Sequence, residues 1–596
     1  MRNVDEMFKD SSPVDTVKRI KDILSSNGLQ VRESWLESGI KNCYSLVATI
    51  QGTRFGTAGK GVTPELANAS AHAELMERLQ AGIMGREKLT YTDSKRMDYA
   101  ALVEQCGSFF ERVGKVVEKF NQVNLTPEAF AQICLDYEGN KGTASALPFF
   151  SVTEDKMTYV PECLLIPLFS STGNCAGNTP EEAIVQGISE IVERWFQRHF
   201  LCLDVVPPTI PDDYLKNHAR AWETITDIRS KGLDVIIKDC SMGSGYPVIA
   251  AVIIDKKKHA YHVHMGASPV FEIALGRSLT ETFQGRVVQN VADTGLSESA
   301  KDDIGTYRKS FHLGRGAYPI EFFTDNSTYP FVPFPDRTGM TNKDLFRYAV
   351  DFIKQHDAHL YVRDVSHMGF TAYKLIVPDM CKEDFELFIS SLGVPRLIGD
   401  TFEAELDLEK ATDDQLFECQ LLNYYRLNNY LIDKSPRCSK MMHLPVADNS
   451  QLDRAAGWAH LAYTEWRCGN EKVAMDFAAC IQSLGAEGIS DFCSCLIRAK
   501  KMLKQEENLD DVCSKLSLFY EANIVKEVRD VITDRRNPFE KFLVKCSREG
   551  GCDCCVYQKT CVVKAQKMLM DLVDGYVQNF DNEKAFDEIR MMFQAV

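Results

Sequence analysis

The chain has 596 residues, 45% hydrophobic and 26% charged, enough for two or more domains with sizeable cores and ordinary for a globular protein. Its formal net charge of −16 argues against a nucleic-acid backbone or an anionic membrane as the main partner. The N-terminus has no apolar signal core and no apolar run reaches the roughly 18 residues of a membrane span, so the expectation is a cytoplasmic protein whose 20 cysteines are thiols or metal ligands rather than disulfides.

Residues 13–27 read as a helix, with Val17, Ile20, Ile23 and Leu24 at helical spacing and Asn27-Gly28 closing it. Lys9 before it and Thr16 near its start are, from the residues alone, surface polar positions. Val31 to Gln51 reads as strands, clearest in Y-S-L-V-A-T-I. G-T-A-G-K-G reads as a glycine-rich turn feeding a helix N-terminus, which by itself is weak evidence for phosphate binding. Residues 97–136 read as helical and mostly charged, and F-F-S-V-T and T-Y-V-P-E-C-L-L-I-P as strand-like.

The most informative stretch is Gly173 to His199. Thr179 as N-cap, Pro180 at the first helical position and Glu181 in the first turn make a good helix start. At about 100° per residue, Glu182, Gln186, Glu190 and Glu193 fall within an arc of roughly 80°, opposite an apolar face of Ile184, Ile188, Ile191 and Val192. A solvated acidic face usually carries lysines at i,i+4, and none occurs here. The pattern also recurs. Gly61, Thr63, Pro64, Glu65, Glu74, Glu77 and Arg78 align without gaps on Gly177, Thr179, Pro180, Glu181, Glu190, Glu193 and Arg194. A third segment, A-L-G-R-S-L-T-E-T-F-Q-G-R, keeps the spacing: Ser70/Glu74/Glu77, Gln186/Glu190/Glu193 and Arg277/Glu281/Gln284 are all i, i+4, i+7. If the three faces converge, five carboxylates (Glu74, Glu77, Glu190, Glu193, Glu281) repel one another unless cations neutralise them. Oxygen ligands without Cys or His suit Mg²⁺, which usually keeps phosphate oxygens in its shell, and Arg78, Arg194 and Arg277 could meet that phosphate.

Further along, Tyr246 to Asp255 is a continuous apolar run that suits a central strand buried on both faces. His262 and His264 share one face of the next strand, either as a two-histidine metal site or as a polar strand face. Residues 300–345 are loop-rich, and L-Y-V-R-D-V and Y-K-L-I-V-P-D-M complete the sheet. Interleaved strands and helices give an α/β or α+β domain over 1–404. From 405 to 596 the chain reads as all-α. One tetratricopeptide-type (TPR-like) helix pair is clear, with Trp458, Leu461, Ala462 and Tyr463 before a G-N-E turn and Ala474 and Phe477 after it; a generic helical bundle is the alternative. Cys546, Cys552, Cys554, Cys555 and Cys561 crowd into residues 546–561, as a Zn²⁺ or iron–sulfur (Fe–S) site or as a redox-active or merely cysteine-rich loop.

The chain resembles the YcaO family at S-A-H-A-E-L-M-E-R-L, A-G-N-T-P-E-E-A-I-V-Q-G-I-S-E-I-V-E-R and A-L-G-R-S-L-T-E-T-F-Q-G-R. It does so again at D-C-S-M-G-S-G-Y-P-V-I near Asp239 and H-M-G-F-T-A-Y-K-L-I-V-P near His367. The resemblance implies a YcaO-type ATP-binding catalytic domain. ATP would be held by Lys9, Thr16 (where the family leads one to expect serine), Ser70, Arg78, Asn178, Glu182, Gln186, Arg194 and Arg277. Mg²⁺ would be held by the five glutamates, with Arg277 and Glu281 at the chemistry. The implied activity is ATP-dependent activation of a peptide backbone amide, with a thiol, hydroxyl or sulfide then replacing the oxygen. The cyclodehydratase members carry a P-x-P-x-P C-terminus and a leader-binding domain. This chain ends M-M-F-Q-A-V, which suits the non-azoline subgroup linked to β-methylthiolation of a ribosomal protein. Expected partners are a protein or peptide substrate, a methylthiotransferase or sulfur donor, and a second copy in a homodimer, with no nucleic acid and no membrane. The alternative of another class is a non-catalytic ATP-binding accessory protein for a radical methylthiotransferase.

Overall fold

Ser12 accepts a hydrogen bond from Asp15 N and Pro13 begins the first helix, α1 (Pro13–Ser26), which buries Val17, Ile20 and Leu24 as its spacing dictates. The computed structural model describes residues 8–53, 55–83, 89–121, 124–137, 142–202, 205–295, 317–380, 404, 407–429, 451–505, 508–543 and 562–595. Two compact units divide the chain: Met1–Leu392 together with Met570–Val596, and Gly393–Leu569.

In the first unit, β1 (Val31–Glu37), β2 (Tyr44–Ile50) and β3 (Gly56–Gly61) form an antiparallel sheet in that order. G-T-A-G-K-G is therefore a strand and not a turn. Its glycines answer a packing demand: α2 (Pro64–Gln80) lies so close that a Cβ on Gly59 or Gly61 would collide with the backbone of Ala67. After β4 (Lys95–Met97), the segment expected to be mostly charged forms two amphipathic helices, α3 (Tyr99–Asn121) and α4 (Pro127–Tyr137). They bury Phe109, Val113, Phe110 and Phe130, the last two stacked at 5.4 Å. β5 (Ala144–Ser151) and β6 (Lys156–Pro161) match the expected strands, but E-C-L-L-I-P-L-F is a helix, α5 (Glu162–Phe169). Cys163, Leu164, Leu168 and Phe169 reach the core at helical rather than alternating positions, which is why the apolar run is not a strand.

The unit continues with β7 (Asn174–Ala176), α6 (Pro180–Cys202), α7 (Ala219–Ser230), β8 (Asp234–Asp239), β9 (Val248–Asp255), β10 (Ala260–Ala267), α8 (Phe271–Thr282), β11 (Thr294–Gly295), α9 (Asn342–Gln355), β12 (Tyr361–Asp364) and β13 (Ala372–Ile376). β9 is central in a sheet of order β11-β10-β9-β8 and buried, as expected. β12 and β13 belong to a different sheet, β4-β5-β12-β13-β7, with β6 on β5. Every ladder among the described residues is antiparallel, so of the two fold classes weighed, α+β is the one formed.

The second unit is helical: α10 (Asp413–Asn429), α11 (Gln451–Arg467), α12 (Glu471–Leu484), α13 (Ile489–Leu503), α14 (Leu509–Leu516) and α15 (Ala522–Asp534). The expected pair is α11–α12, with Trp458 on Phe477 at 5.3 Å and Leu461, Ala462, Tyr463 and Ala474 in the core. The all-helical region does not run to the end of the chain as one body. Within α16 (Val562–Gln578) the chain returns to the first unit at Met570, and α17 (Asn582–Gln594) stays there. Phe586 and Phe593 pack on Phe150 at 5.5 and 6.1 Å, and Arg590 and Gln594 both bond Asp155. Apolar burial places the tail, and composition alone cannot assign it to a unit.

Cys43, Cys106, Cys163, Cys175, Cys240, Cys468, Cys480, Cys493, Cys495 and Cys513 are thiols outside any disulfide. Cys546, Cys552, Cys554, Cys555 and Cys561 lie outside the described residues. Among the described residues no helix is long and apolar enough to cross a membrane.

Candidate active site

Three strand-to-helix steps build the site: β3 into α2, β7 into α6 and β10 into α8. Thr63 caps α2 by accepting from Leu66 N, and Glu182 N donates to Thr179 at the head of α6, as the shared T-P-E signature predicts. α8 lacks that signature and has no side-chain cap. It is seated instead by Gly266, where a Cβ would stand 2.6 Å from both Ala274 O and Ser278 N. α6 carries no solvated acidic face: Glu182, Ser189, Glu193, Gln197 and Arg198 are buried along with its apolar side. Its polar face lines an internal space.

That space is a cavity of about 460 Å³. Its wall holds all three triplets, Ser70/Glu74/Glu77, Gln186/Glu190/Glu193 and Arg277/Glu281/Gln284, together with Arg78, Arg194, Lys9, Thr16, Asn178 and Glu182. At one end, Lys9 Nζ donates to Glu182 Oε1 at 3.0 Å, Asn178 Nδ2 and Asp10 N donate to Glu182 Oε2 at 3.0 and 3.1 Å, and the Thr16 hydroxyl donates to Asn178 Oδ1 at 2.8 Å. Burial acts to raise Glu182, but Lys9 and these donors outweigh it and hold the carboxyl below its ordinary value. Its oxygens are occupied within the protein, and it ties the N-terminal segment to α6. Threonine at position 16 supplies the hydroxyl that serine would.

The other end is acidic and unevenly neutralised. Arg78 donates to Glu74 at 3.3 Å and lies 3.6 Å from Glu77. Arg194 donates to Gln197 at 3.2 Å and comes only within 3.7 Å of Glu193. Burial pushes Glu77 up to about 8, Glu74 and Glu190 adding to the push and Arg78 and Lys374 opposing it. Burial likewise raises Glu193, against Arg194 and Arg277. Glu281 goes the other way: burial would raise it, but Lys60 at 2.6 Å, His264 at 3.4 Å and Arg277 at 3.9 Å hold it well below the usual carboxylate range. His264 is pushed by burial down to about 4 and is neutral near pH 7, its Nδ1 bonded to Met265 O at 2.9 Å.

Lys60 and His264 are site residues that the sequence reading did not select. Lys60 is hidden in a segment that looks like a glycine turn; the signal is its place between two glycines that face α2, which leaves its own side chain on the opposite face of β3. His264 alternates with His262, but the two diverge: His262 bonds Asp293 at 3.2 Å and His264 faces the cavity. Among the described residues no three His, Cys, Asp or Glu side chains gather as a ready cation cage. The five glutamates ring the cavity rather than close on a point. Magnesium needs no such cage, since it usually takes one or two carboxylates, waters and substrate phosphates. Two features fit that combination. Glu77 and Glu193 are buried with too little positive charge beside them, and Arg194 Nε and Arg277 Nε are buried without a hydrogen-bond partner.

Comparison with known proteins gives a family. Residues 58–381, more than half of the chain, match the family model described as YcaO cyclodehydratase, ATP- and Mg²⁺-binding. The chain is 27% identical over 444 residues to the ribosomal protein S12 methylthiotransferase accessory factor YcaO of Escherichia coli strain K12, covering 69% of this chain and 74% of that one. Among solved structures, a heterocyclase in complex with substrate and cofactor is 21% identical with a TM-score of 0.44, over 62% of this chain and 53% of the heterocyclase. YcaO from Methanopyrus kandleri bound with AMPPCP and Mg²⁺ is 15% identical with a TM-score of 0.40, over 63% of this chain and 94% of that one.

Proposed function

The chain belongs to the YcaO family, and we propose that within it this protein uses ATP and magnesium to phosphorylate a backbone amide of a protein or peptide. The observation that carries the reading is the meeting of three i, i+4, i+7 triplets around one cavity. Lys9, Thr16, Ser70, Asn178 and Gln186 hold the nucleotide, with Glu182 fixing Lys9 and Asn178. Arg78, Arg194 and Arg277 face the phosphates, where a planar fork suits phosphate oxygens. Magnesium would take its carboxylate ligands from among Glu74, Glu77, Glu190, Glu193 and Glu281, and when bound would supply charge neutralisation at the triphosphate. The substrate's amide oxygen attacks the terminal phosphorus and ADP leaves. The amide carbon then bears a phosphate-linked oxygen, a far better leaving group than the amide oxygen itself. A thiol, hydroxyl or sulfide adds to that carbon and inorganic phosphate departs. The protein's part is to position and to neutralise charge.

The second reading is a non-catalytic, ATP-binding accessory protein for a radical methylthiotransferase, favoured by the name of the 27%-identical E. coli relative. One experiment separates the two. Purified protein is incubated with Mg-ATP and a cell extract's polypeptides, and the products are followed by mass spectrometry. Loss of one water, or exchange of oxygen for sulfur, together with ADP and phosphate release, supports the enzyme. Nucleotide binding with a methylthiotransferase complex and no mass change would leave only the accessory role.

In the same reading the helical unit is a TPR-like docking module, the protein is a cytoplasmic homodimer, and the cysteines of 546–561 hold Zn²⁺ or an iron–sulfur cluster apart from nucleotide binding. Light scattering tests the dimer. Metal analysis of anaerobically purified protein, with and without Cys552→Ser/Cys554→Ser/Cys555→Ser, tests the cysteines.

A further inference from the structure

Three basic side chains crowd one carboxylate. Lys60 Nζ stands 2.6 Å from Glu281 Oε1, Arg277 Nη2 lies 3.9 Å from the same oxygen, and His264 Nδ1 is 3.4 Å from Oε2. The Nε atoms of Arg277 and of nearby Arg194 are buried with no hydrogen-bond partner. His264 is neutral and bonded to Met265 O, so the charge in this corner comes from Lys60, Arg277 and Arg194, and Glu281 is hydrogen-bonded by Lys60 alone of these three, while Glu77 and Glu193 are short of donors. A buried surplus of cationic donors calls for an anion.

Lys60 is placed for that anion by the backbone. Gly59 and Gly61 press on α2, so alternation along β3 turns Lys60 away from α2 and toward α8, into the cavity that it lines. Its contact with Glu281 cannot persist as it stands if Glu281 takes a metal, because two cations on one carboxylate oxygen repel. The other carboxylates of the cavity are claimed by the same metal or by arginines. The new acceptor that enters with the metal is the nucleotide's own phosphate. A compact ammonium on a flexible stem, with three donors, can change acceptors where a planar guanidinium locked by its fork cannot.

We propose that Lys60 is a phosphate-binding residue, passing from Glu281 to the terminal phosphoryl group of bound ATP and stabilising the charge that is transferred. The inference rests on the reading of the cavity as a Mg-ATP site and names a further residue within it. Its test is binding rather than turnover. Calorimetry compares a non-hydrolysable ATP analogue with ADP, both with magnesium, in wild type and in Lys60→Ala. Loss of a contact to the terminal phosphate should weaken the analogue by about tenfold or more and ADP by less than about threefold. Lys60→Arg, which keeps the charge, should recover part of the analogue's affinity. Should Lys60→Ala fail to fold, Lys60→Gln carries the same comparison. Equal weakening of both nucleotides, or no change in either, would show Lys60 to be only a counter-ion of Glu281 and would overturn the proposal. If the wild type binds neither nucleotide, the reading of the cavity itself falls, and Lys60 with it.

Discussion

Arg78 and Arg194 hold the same place in near-identical motifs, one on α2 and one on α6. Arg78 spends its guanidinium on the acids of its own helix, Glu74 at 3.3 Å and Glu77 at 3.6 Å. Arg194 stands at nearly the same distance from its own neighbour, 3.7 Å from Glu193, but its hydrogen bond goes to the neutral Gln197 at 3.2 Å and its buried Nε makes none. The helices are also anchored differently. α6 is embedded in the core along its length, whereas α2 ends at Gln80, whose amide donates to Phe370 O and accepts from Met368 N, both at 2.8 Å. A repeated motif therefore repeats the positions of charges, and the surroundings decide which of those charges are free to meet a ligand.

The largest effect tests the shared part of the comparison. Glu190 sits between the two buried acids and contributes to the raised values of both Glu77 and Glu193. Glu190→Gln should lower Mg-ATP affinity by on the order of 100-fold, the scale of losing a charged ligand contact, while leaving the melting temperature near that of wild type. Calorimetry that returned wild-type affinity for this variant would end the idea that the three triplets form one nucleotide–metal site.

The next effect separates the copies. The buried Nε atoms of Arg194 and Arg277 have no hydrogen-bond partner, so Arg→Lys at either position should weaken ATP binding by at least about tenfold, because a point charge does not reproduce the planar fork. Arg78 donates to Glu74 as well as standing beside Glu77, so Arg78→Lys should cost less than Arg194→Lys, about threefold. Equal losses at positions 78 and 194 would break the comparison. Near wild-type affinity for Arg277→Lys would leave that residue a purely structural neutraliser of Glu281.

The triplets were legible because helical geometry turns i, i+4, i+7 into one face, and because the T-P-E caps fix where α2 and α6 begin. Lys60 and His264 were not legible. Both lie on strands, where a spacing of two does not say which face meets the site, and G-T-A-G-K-G looks like a turn until α2 is seen to lie on Gly59 and Gly61. α5 was misread because a short apolar run has no period of its own. The return of α17 to the first unit depends on Phe586 and Phe593 meeting Phe150 across more than 400 positions of chain, which local patterns cannot register.

The smallest effect concerns the anchor that α2 has and α6 lacks. His367 Nδ1 meets Gln80 O at 3.2 Å, its ring stands edge-on to Phe580 at 4.7 Å, and its Nε2 is buried without a hydrogen-bond partner. Burial, with Arg363 adding to it, pushes His367 from 6.5 down to about 4. The sign follows from proton counting. Between pH 6.5 and 4 the unfolded chain holds this proton and the folded one does not, so stability falls as pH drops through that window and levels off below it. The shift sets a ceiling of roughly 3 kcal/mol, and relaxation of the loop around His367 brings the expected loss nearer 1 kcal/mol, or roughly 2–4 °C in melting temperature. Glu77, raised to about 8, works in the opposite sense over its own window, so the measurement is a difference between two proteins. Metal-free wild type and His367→Gln are melted at pH 7 and at pH 4.5. Glutamine can still donate to Gln80 O but binds no proton. The variant should start slightly less stable and lose less on acidification. Parallel shifts in the two proteins would mean that His367 titrates as it would in water, and that the end of α2 is not held by the buried neutral ring.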